Sequence, residues 1–228
     1  MSETIFTKDT IKFLLELSKN NQRDWFNDNK QRYEDDVRSP SLEFINEIQP
    51  LLRLISPHFR AISKKSGGSL MRIYRDIRFS KDKTPYKTNI GIQFRHEARK
   101  DVHAPGFYLH IEPESVFLVA GMWRPDNKVL RIIRDMLIDN PNAWKAALNN
   151  EEFKKYFYLT GESLKLPPRG YDKNHPLITD LKRKDFIARH DLIKNDIYKE
   201  NFADKVIETY STTTPFMSYL CTALDLPF

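Results

Sequence analysis

Apolar residues recur along this chain with two different periods, and the change of period divides it into three stretches. From Thr7 to Lys19, Ile11, Leu14, Leu15 and Leu17 supply most of a helical apolar face, and Asn20–Asn21 ends it. A more polar helix is expected over Arg23–Val37, anchored by Trp25, Phe26 and Tyr33. Ser39–Pro40 reads as a fresh start, with serine as cap and proline at the first helical position. Leu42, Ile45, Ile48, Leu52 and Ile55 follow at helical spacing, and Pro50 is expected to kink or break the run.

The middle of the chain switches to a period of two. Strands are expected at Met71–Arg75, Asn89–Glu97, Gly106–Glu112 and Ser115–Arg124. Ile90, Ile92 and Phe94 alternate with Gly91, Gln93 and Arg95; Phe107, Leu109 and Ile111 alternate with Tyr108, His110 and Glu112. The run VFLVAGMW is apolar on both faces, which predicts a strand covered twice. Pro113–Glu114 suits a tight hairpin.

Helical spacing returns after Pro125. Asp126 can cap a helix over Asn127–Ile138 that buries Leu130, Ile133 and Leu137. Asn140–Pro141 opens a short helix through Leu148, and Glu151–Tyr158 a further one. LPPRGYDKNHP (Leu166–Pro176) is too rich in Pro and Gly for regular structure. A last helix over Asn201–Leu224 should break at Pro215. Strands in the middle and helices at both ends predict an α+β fold, with a central antiparallel meander of about four strands in one domain over 1–228.

Composition adds limits. Hydrophobic residues make up 40% and charged residues 30%, too polar for a membrane protein and too apolar for wholesale disorder. The opening residues lack the pattern of a secretory signal and Cys221 is the only cysteine, which together predict a reducing, cytoplasmic setting. The net charge of +6 is local rather than diffuse. Met71–Lys87 holds six cations (Arg72, Arg75, Arg78, Lys81, Lys83, Lys87) against Asp76 and Asp82, a net +4.

That basic block is the first candidate for chemistry. Guanidinium and ammonium groups bind phosphate or carboxylate oxygens, and Tyr74, Phe79 and Tyr86 beside them could stack a base or sugar. The plain alternative is a solvated loop whose two aspartates pair with nearby cations. The second candidate is the polar sheet face, where a meander could gather Arg72, Tyr74, Gln93, Arg95, Tyr108 and His110. Such a face suits nucleic acid or a small-molecule floor, or is simply a polar surface. The third is the GYD–HP loop with Arg169, Tyr171, Asp172, His175 and Lys184, in which Asp172 and His175 could orient each other; packing of a structural loop is the alternative. Metal, Walker and Rossmann patterns are absent, and no cofactor or oligomeric state is implied.

Several blocks together resemble one family. NNQRDWFNDNKQRY, SLMRIYRDIRFSKDKTPYKTNIGIQF, APGFYLHIEPESVFLVAGMWRPD, PPRGYDKNHPLITDLKRKDF and PFMSYL are similar to the domain of unknown function 2461 family, over about Phe6 to Leu224. The resemblance implies a single cytoplasmic domain. It brings no activity, cofactor or catalytic residue with it.

Three expectations follow. One is a binding module for a nucleotide, nucleic acid or other anionic ligand, held by Arg72, Tyr74, Arg75, Arg78, Lys81, Lys83, Lys87, Arg95 and Tyr108. Another is an enzyme on a small anionic substrate, with His110 or His175 as acid/base oriented by Asp76 or Asp172; it requires the basic loop, sheet face and GYD–HP loop to converge. The last is an interaction protein in which the charged loop is an internal ion-pair network.

Overall fold

The computed structural model describes residues 4–98 and 104–228. Helices pack on one face of a six-stranded antiparallel sheet whose order is β1-β2-β3-β4-β6-β5. The strands are β1 (Phe59–Arg60), β2 (Ile90–His96), β3 (Gly106–Ile111), β4 (Val116–Met122), β5 (Tyr158–Thr160) and β6 (Phe186–Leu192). The α+β class agrees with the sequence pattern, but the sheet has six strands rather than about four.

The first helix, α1 (Lys8–Lys19), starts where predicted. The Thr7 hydroxyl accepts the Asp9 N–H and the Thr10 hydroxyl accepts the Thr7 N–H, a reciprocal cap. The second predicted helix is three pieces: α2 (Arg23–Asp28), α3 (Lys30–Tyr33) and a π-helical turn at Glu34–Arg38. This turn leads without interruption into α4 (Ser39–Ile55), so Ser39 is helical rather than a cap, at φ −60° and ψ −49°. A widened turn just before Pro40 gives room to a ring that would otherwise meet the carbonyl four residues back. Pro50 does not end α4 either. Phe44, Ile45, Ile48 and Leu52 are all buried along it, and that packing outweighs one missing backbone bond.

The strand expected at Met71–Arg75 is absent. This segment lies along the edge of β2 and touches its partner through single bridges, Leu70 with Ile92 and Tyr74 with Tyr86. Pro85 has no N–H to donate, so a regular ladder cannot run through it. The β3–β4 hairpin is as expected: Glu112 and Ser115 exchange backbone bonds of 3.0 and 3.3 Å around Pro113–Glu114.

The later helices are α5 (Asn127–Asp139), α6 (Pro141–Asn149), α7 (Glu151–Tyr156), α8 (Ile178–Leu181), α9 (Phe202–Ser211) and α10 (Thr214–Ala223), with a 3₁₀ turn at Lys194–Tyr198. Pro215 separates α9 from α10, as its place in the sequence predicts. The core lies between these helices and the inner face of the sheet. Ile92, Phe94, Phe107, Leu109, Ile111, Leu118, Ala120 and Ala188 all point there and are fully buried. Phe107 packs on Tyr210 of α9 at 4.7 Å, and Trp144 of α6 meets Phe186 edge-on at 5.9 Å. The other face is less covered: Phe117 and Val119 are only partly buried, so β4 is not sandwiched on both sides. Among the described residues no helix is long and apolar enough to cross a membrane.

Candidate functional site

Strand register decides which polar residues meet. Gln93, Tyr108, Val119, Arg189 and Tyr158 stand opposite one another across β2, β3, β4, β6 and β5. The next row toward the β3–β4 hairpin is Gly91, His110, Phe117 and Asp191. With a side-chain period of two, these rows share the face turned away from the helices. Gln93, Arg95, Tyr108 and His110 are therefore neighbours, as the alternation predicted. Arg72 and Tyr74 are not: both leave the sheet with the basic hairpin, where Tyr74 packs on Tyr86 at 5.5 Å and Phe26 at 6.4 Å.

This outer face carries an ordered stack of planar groups. The His110 and Phe117 rings lie 4.4 Å apart and 10° from parallel, and the Arg189 guanidinium sits 3.8 Å over the other side of Phe117. Asp191 fixes the guanidinium at 2.6 Å, and the Tyr158 hydroxyl donates to Asp191 at 2.8 Å. The Arg95 Nε donates to the Gln93 side chain at 3.1 Å. The Tyr108 hydroxyl lies 2.9 Å from His110 Nδ1 and occupies the space a Cβ on Gly91 would need. Only glycine at 91 lets the phenol lie this low across β2.

The electrostatics favour neutral groups at the centre. Burial holds His110 below the usual imidazole range, against the opposing pull of Glu112, whose carboxylate is 3.4 Å from Nε2. That nitrogen is sealed from solvent. Burial, helped by Glu112, pushes the Tyr108 phenol up to about 12. A phenol this weakly acidic stays protonated and serves as a hydrogen-bond donor, and a sealed Nε2 does not reach a substrate. The pair is suited to binding more than to proton transfer.

The basic block is a projecting hairpin with much of its charge internally matched. Arg75 pairs with Asp82 and Thr84; Arg78 grips Asp76 through two bonds of 2.9 and 2.7 Å. Hydrogen bonds from these partners hold both aspartates down at about 2. Asp76 thus faces a guanidinium and orients no histidine. The Lys83 ammonium donates to the Ile77 carbonyl at 2.9 Å. Phe79 at the tip is 95% exposed. Among the described residues no carboxylate lies within 4 Å of Arg72, Lys81, Lys83 or Lys87. Lys87 is half-buried near Arg72, and burial first, then that like charge, lowers its pKa.

The GYD–HP loop hangs from the far side of the sheet. Tyr171 donates to Asp135 of α5 at 2.7 Å, and Ser163 bridges Arg183 next to β6. The basic hairpin instead borders β2, on the other side of β3 and β4. Asp172 caps its own turn by accepting the Asn174 N–H, and His175 Nδ1 accepts the Leu177 N–H. The two side chains do not orient each other, and the three candidate segments do not converge.

Sequence reasoning missed Phe117, Tyr158, Arg189 and Asp191. The signal lay in FIARHDL, whose Phe186, Ala188, His190 and Leu192 alternate with Ile187, Arg189 and Asp191. Among the described residues no cluster of three or more His, Cys, Asp or Glu is placed to hold a metal ion. Cys221 is buried and its thiol is pushed up to about 12. No curated protein and no solved structure matches the chain. The model of one family, described as a conserved hypothetical protein (DUF2461), matches residues 9–219, nearly the whole length, and the chain belongs to that family.

Proposed function

We propose that this protein is a binding module for a ligand combining a planar base with phosphate, a nucleotide either free or within a single strand, and that the ligand lies on the outer sheet face. The observation that carries this reading is the His110–Phe117–Arg189 stack on the face turned from the helices. An antiparallel sheet with one wet face normally shows small and charged polar residues there. Here the wet face presents two tyrosines, a phenylalanine, an imidazole and two guanidinium groups. Aromatic planes and arginines side by side suit base stacking and backbone phosphates together. The matched ion pairs of the basic hairpin leave Arg72, Lys81 and Lys87 as steering charges rather than as the site itself.

The test is fluorescence anisotropy with short labelled single-stranded DNA and RNA, with unlabelled mononucleotides as competitors, at low and moderate salt. Binding should weaken with salt, because phosphate contacts release counterions. Phe117→Ala, which removes the plane that holds His110 and Arg189 in register, and the Arg189→Ala/Tyr158→Ala double variant, which removes a guanidinium plane and a half-exposed ring, should each weaken it by roughly tenfold or more, the scale of one lost stacking contact. The Arg75→Ala/Arg78→Ala/Lys83→Ala variant should retain most of it. Full affinity in the sheet-face variants, or no binding by the wild type to any probe, overturns the proposal. Competition by mononucleotides at comparable site concentration assigns a free nucleotide; strong preference for oligomers assigns a strand.

A further inference from the structure

A second site is built where β4 ends and β6 begins, and its central feature is a buried charge without a counter-ion. Arg134 of α5 is only 7% exposed. Its Nε donates to the Leu181 carbonyl at 2.7 Å and its Nη2 to the Arg183 carbonyl at 3.0 Å. Among the described residues no carboxylate lies within 4 Å of it; its neighbours Arg183 and Lys184 pair instead with Asp180 and Glu162. The acidic group that acts on it is the Tyr171 phenol, which burial and Asp135 hold neutral. Buried guanidinium groups are ordinarily paired, because desolvating the charge is costly. Two carbonyls satisfy two of its donors and supply no negative charge.

The Arg134 side chain lines a cleft of about 340 Å³ together with Arg124, Asn127, Leu130, Glu162 and Lys184. Three cations therefore face one carboxylate, a net +2. Glu162 is shared, 3.0 Å from Arg124 Nη2 and 3.4 Å from Lys184 Nζ. The rim is held by a clasp. Asp185, 2% exposed, accepts the backbone N–H of Arg124 and that of Glu162, each at 2.7 Å. Both connections are conformationally unusual: Arg124 has φ +47° and Gly161 has φ +103°. Left-handed backbone in a non-glycine residue is a cost that a fold retains where a side chain must be aimed. Here it aims Arg124, whose guanidinium also stacks 5.1 Å from the Trp123 ring.

The geometry points to a phosphate-monoester site in this cleft, distinct from the outer sheet face, with Arg134, Arg124 and Lys184 as the anion ligands. A monoester carries close to two negative charges at neutral pH, which matches the net +2 of the lining. Its oxygens can take up the remaining Arg134 donors from within the cleft, and the guanidinium of Arg124 and the ammonium of Lys184 from the rim.

The probe is inorganic phosphate, titrated against sodium chloride of matched ionic strength, which holds general screening constant. Two readouts are followed: the melting temperature and the ¹H–¹⁵N spectrum of the arginine Nε–H groups. The expected result is saturable stabilisation by phosphate beyond that of chloride, with the Arg134 Nε–H resonance shifting along the same curve. The exposed-rim variant Arg124→Gln/Lys184→Gln should weaken phosphate binding roughly tenfold or more, the loss expected from two charge-assisted bonds. Its melting temperature in chloride should stay close to wild type, because the Arg124 and Glu162 backbone bonds to Asp185 remain. Arg72→Gln/Lys87→Gln should leave phosphate binding intact. Phosphate acting only as chloride does, or an equal response in the rim variant, overturns the inference; so does binding lost only in the hairpin variant. Neither readout uses the nucleotide probes of the sheet face, so this site and that one stand or fall separately.

Discussion

Phe117 lies ring on ring with His110, 4.4 Å between centroids, although the two residues sit on adjacent strands facing away from the core. The contact seals one flank of the imidazole, the Tyr108 hydroxyl lies against Nδ1, and the Glu112 carboxylate stands 3.4 Å from the buried Nε2. Burial outweighs Glu112, so the folded state binds the His110 proton less readily than the unfolded chain does. For a group with a depressed folded pKa, stability is lost as pH falls below the unfolded value of about 6.5 toward the folded one. Urea unfolding between pH 8 and pH 5 should therefore show wild type losing more stability than His110→Gln. In NMR titration the His110 ring should have its midpoint below 6.5; a midpoint above it would mean that Glu112 dominates.

The hairpin aspartates give a prediction of the same kind with exposed groups. Asp76 and Asp82 are held at about 2 by hydrogen bonds from Arg78 and from Thr84 and Arg75. Carboxyl ¹³C titration should find both ionised well below pH 3.8. Asp82→Asn should loosen the hairpin around Arg75 and leave the Asp76 midpoint unchanged, since each aspartate serves its own arginine. Added salt should raise both midpoints, because these pairs are open to solvent.

Much of this architecture is legible in the sequence, and the failures share causes. Strands β2 and β3 follow from clean alternation, β4 from a continuous apolar run, and the hairpin between β3 and β4 from a two-residue turn. Strand β6 alternates as well, but KRKD before it and IKND after it give it the look of a charged loop. Strand β1 is two residues long, too short for any period. Met71–Arg75 alternates like a strand and fails as one because its partner segment contains Pro85. The π turn before Pro40 is invisible to a helical pattern, since it disturbs spacing by a single residue.

The candidate sites were legible unevenly for a different reason. Residue type announces cations but not their partners, so the hairpin with six basic residues stands out in the sequence although Arg75 and Arg78 are matched by aspartates close by. Arg134 does not stand out, being one arginine in a helix. Its position held the signal: four residues after Leu130 and three before Leu137, it falls on the face of α5 that is otherwise buried. A charge on an apolar helical face is the informative exception.

Cys221 provides a direct reporter of the core. It lies on α10, fully buried, with its thiol pushed up to about 12 by desolvation. At pH 8 a disulfide reagent such as DTNB should not label the native protein and should label it at once in denaturing urea. The labelling rate at intermediate urea should track unfolding measured by tryptophan fluorescence, because Trp144, on the neighbouring α6, is also fully buried. Rapid native labelling would show that α10 opens independently of the rest.

The Asp185 clasp predicts a stability loss with a graded chemistry. Its carboxylate is 2% exposed and accepts two backbone N–H groups, Arg124 and Glu162, from two separate connections that it ties together at the start of β6. Asp185→Ala leaves both donors without an acceptor in a buried setting, at roughly 1–3 kcal/mol for each. Some of this is recovered if water enters, so about 2–4 kcal/mol is the expected loss in urea unfolding. Asp185→Asn keeps one oxygen acceptor and turns an amide toward the other N–H, so it should cost less than alanine but still destabilise. Gly161→Ala attacks the same clasp from the other side: its Cβ would fall 2.5 Å from the Asp185 Cβ, on a backbone at φ +103°. If the clasp acts as one unit, Asp185→Ala and Gly161→Ala together should cost less than the sum of the two alone, because either change already releases the Glu162 N–H. Strict additivity would mean that the two connections are held independently and that Asp185 merely lies between them.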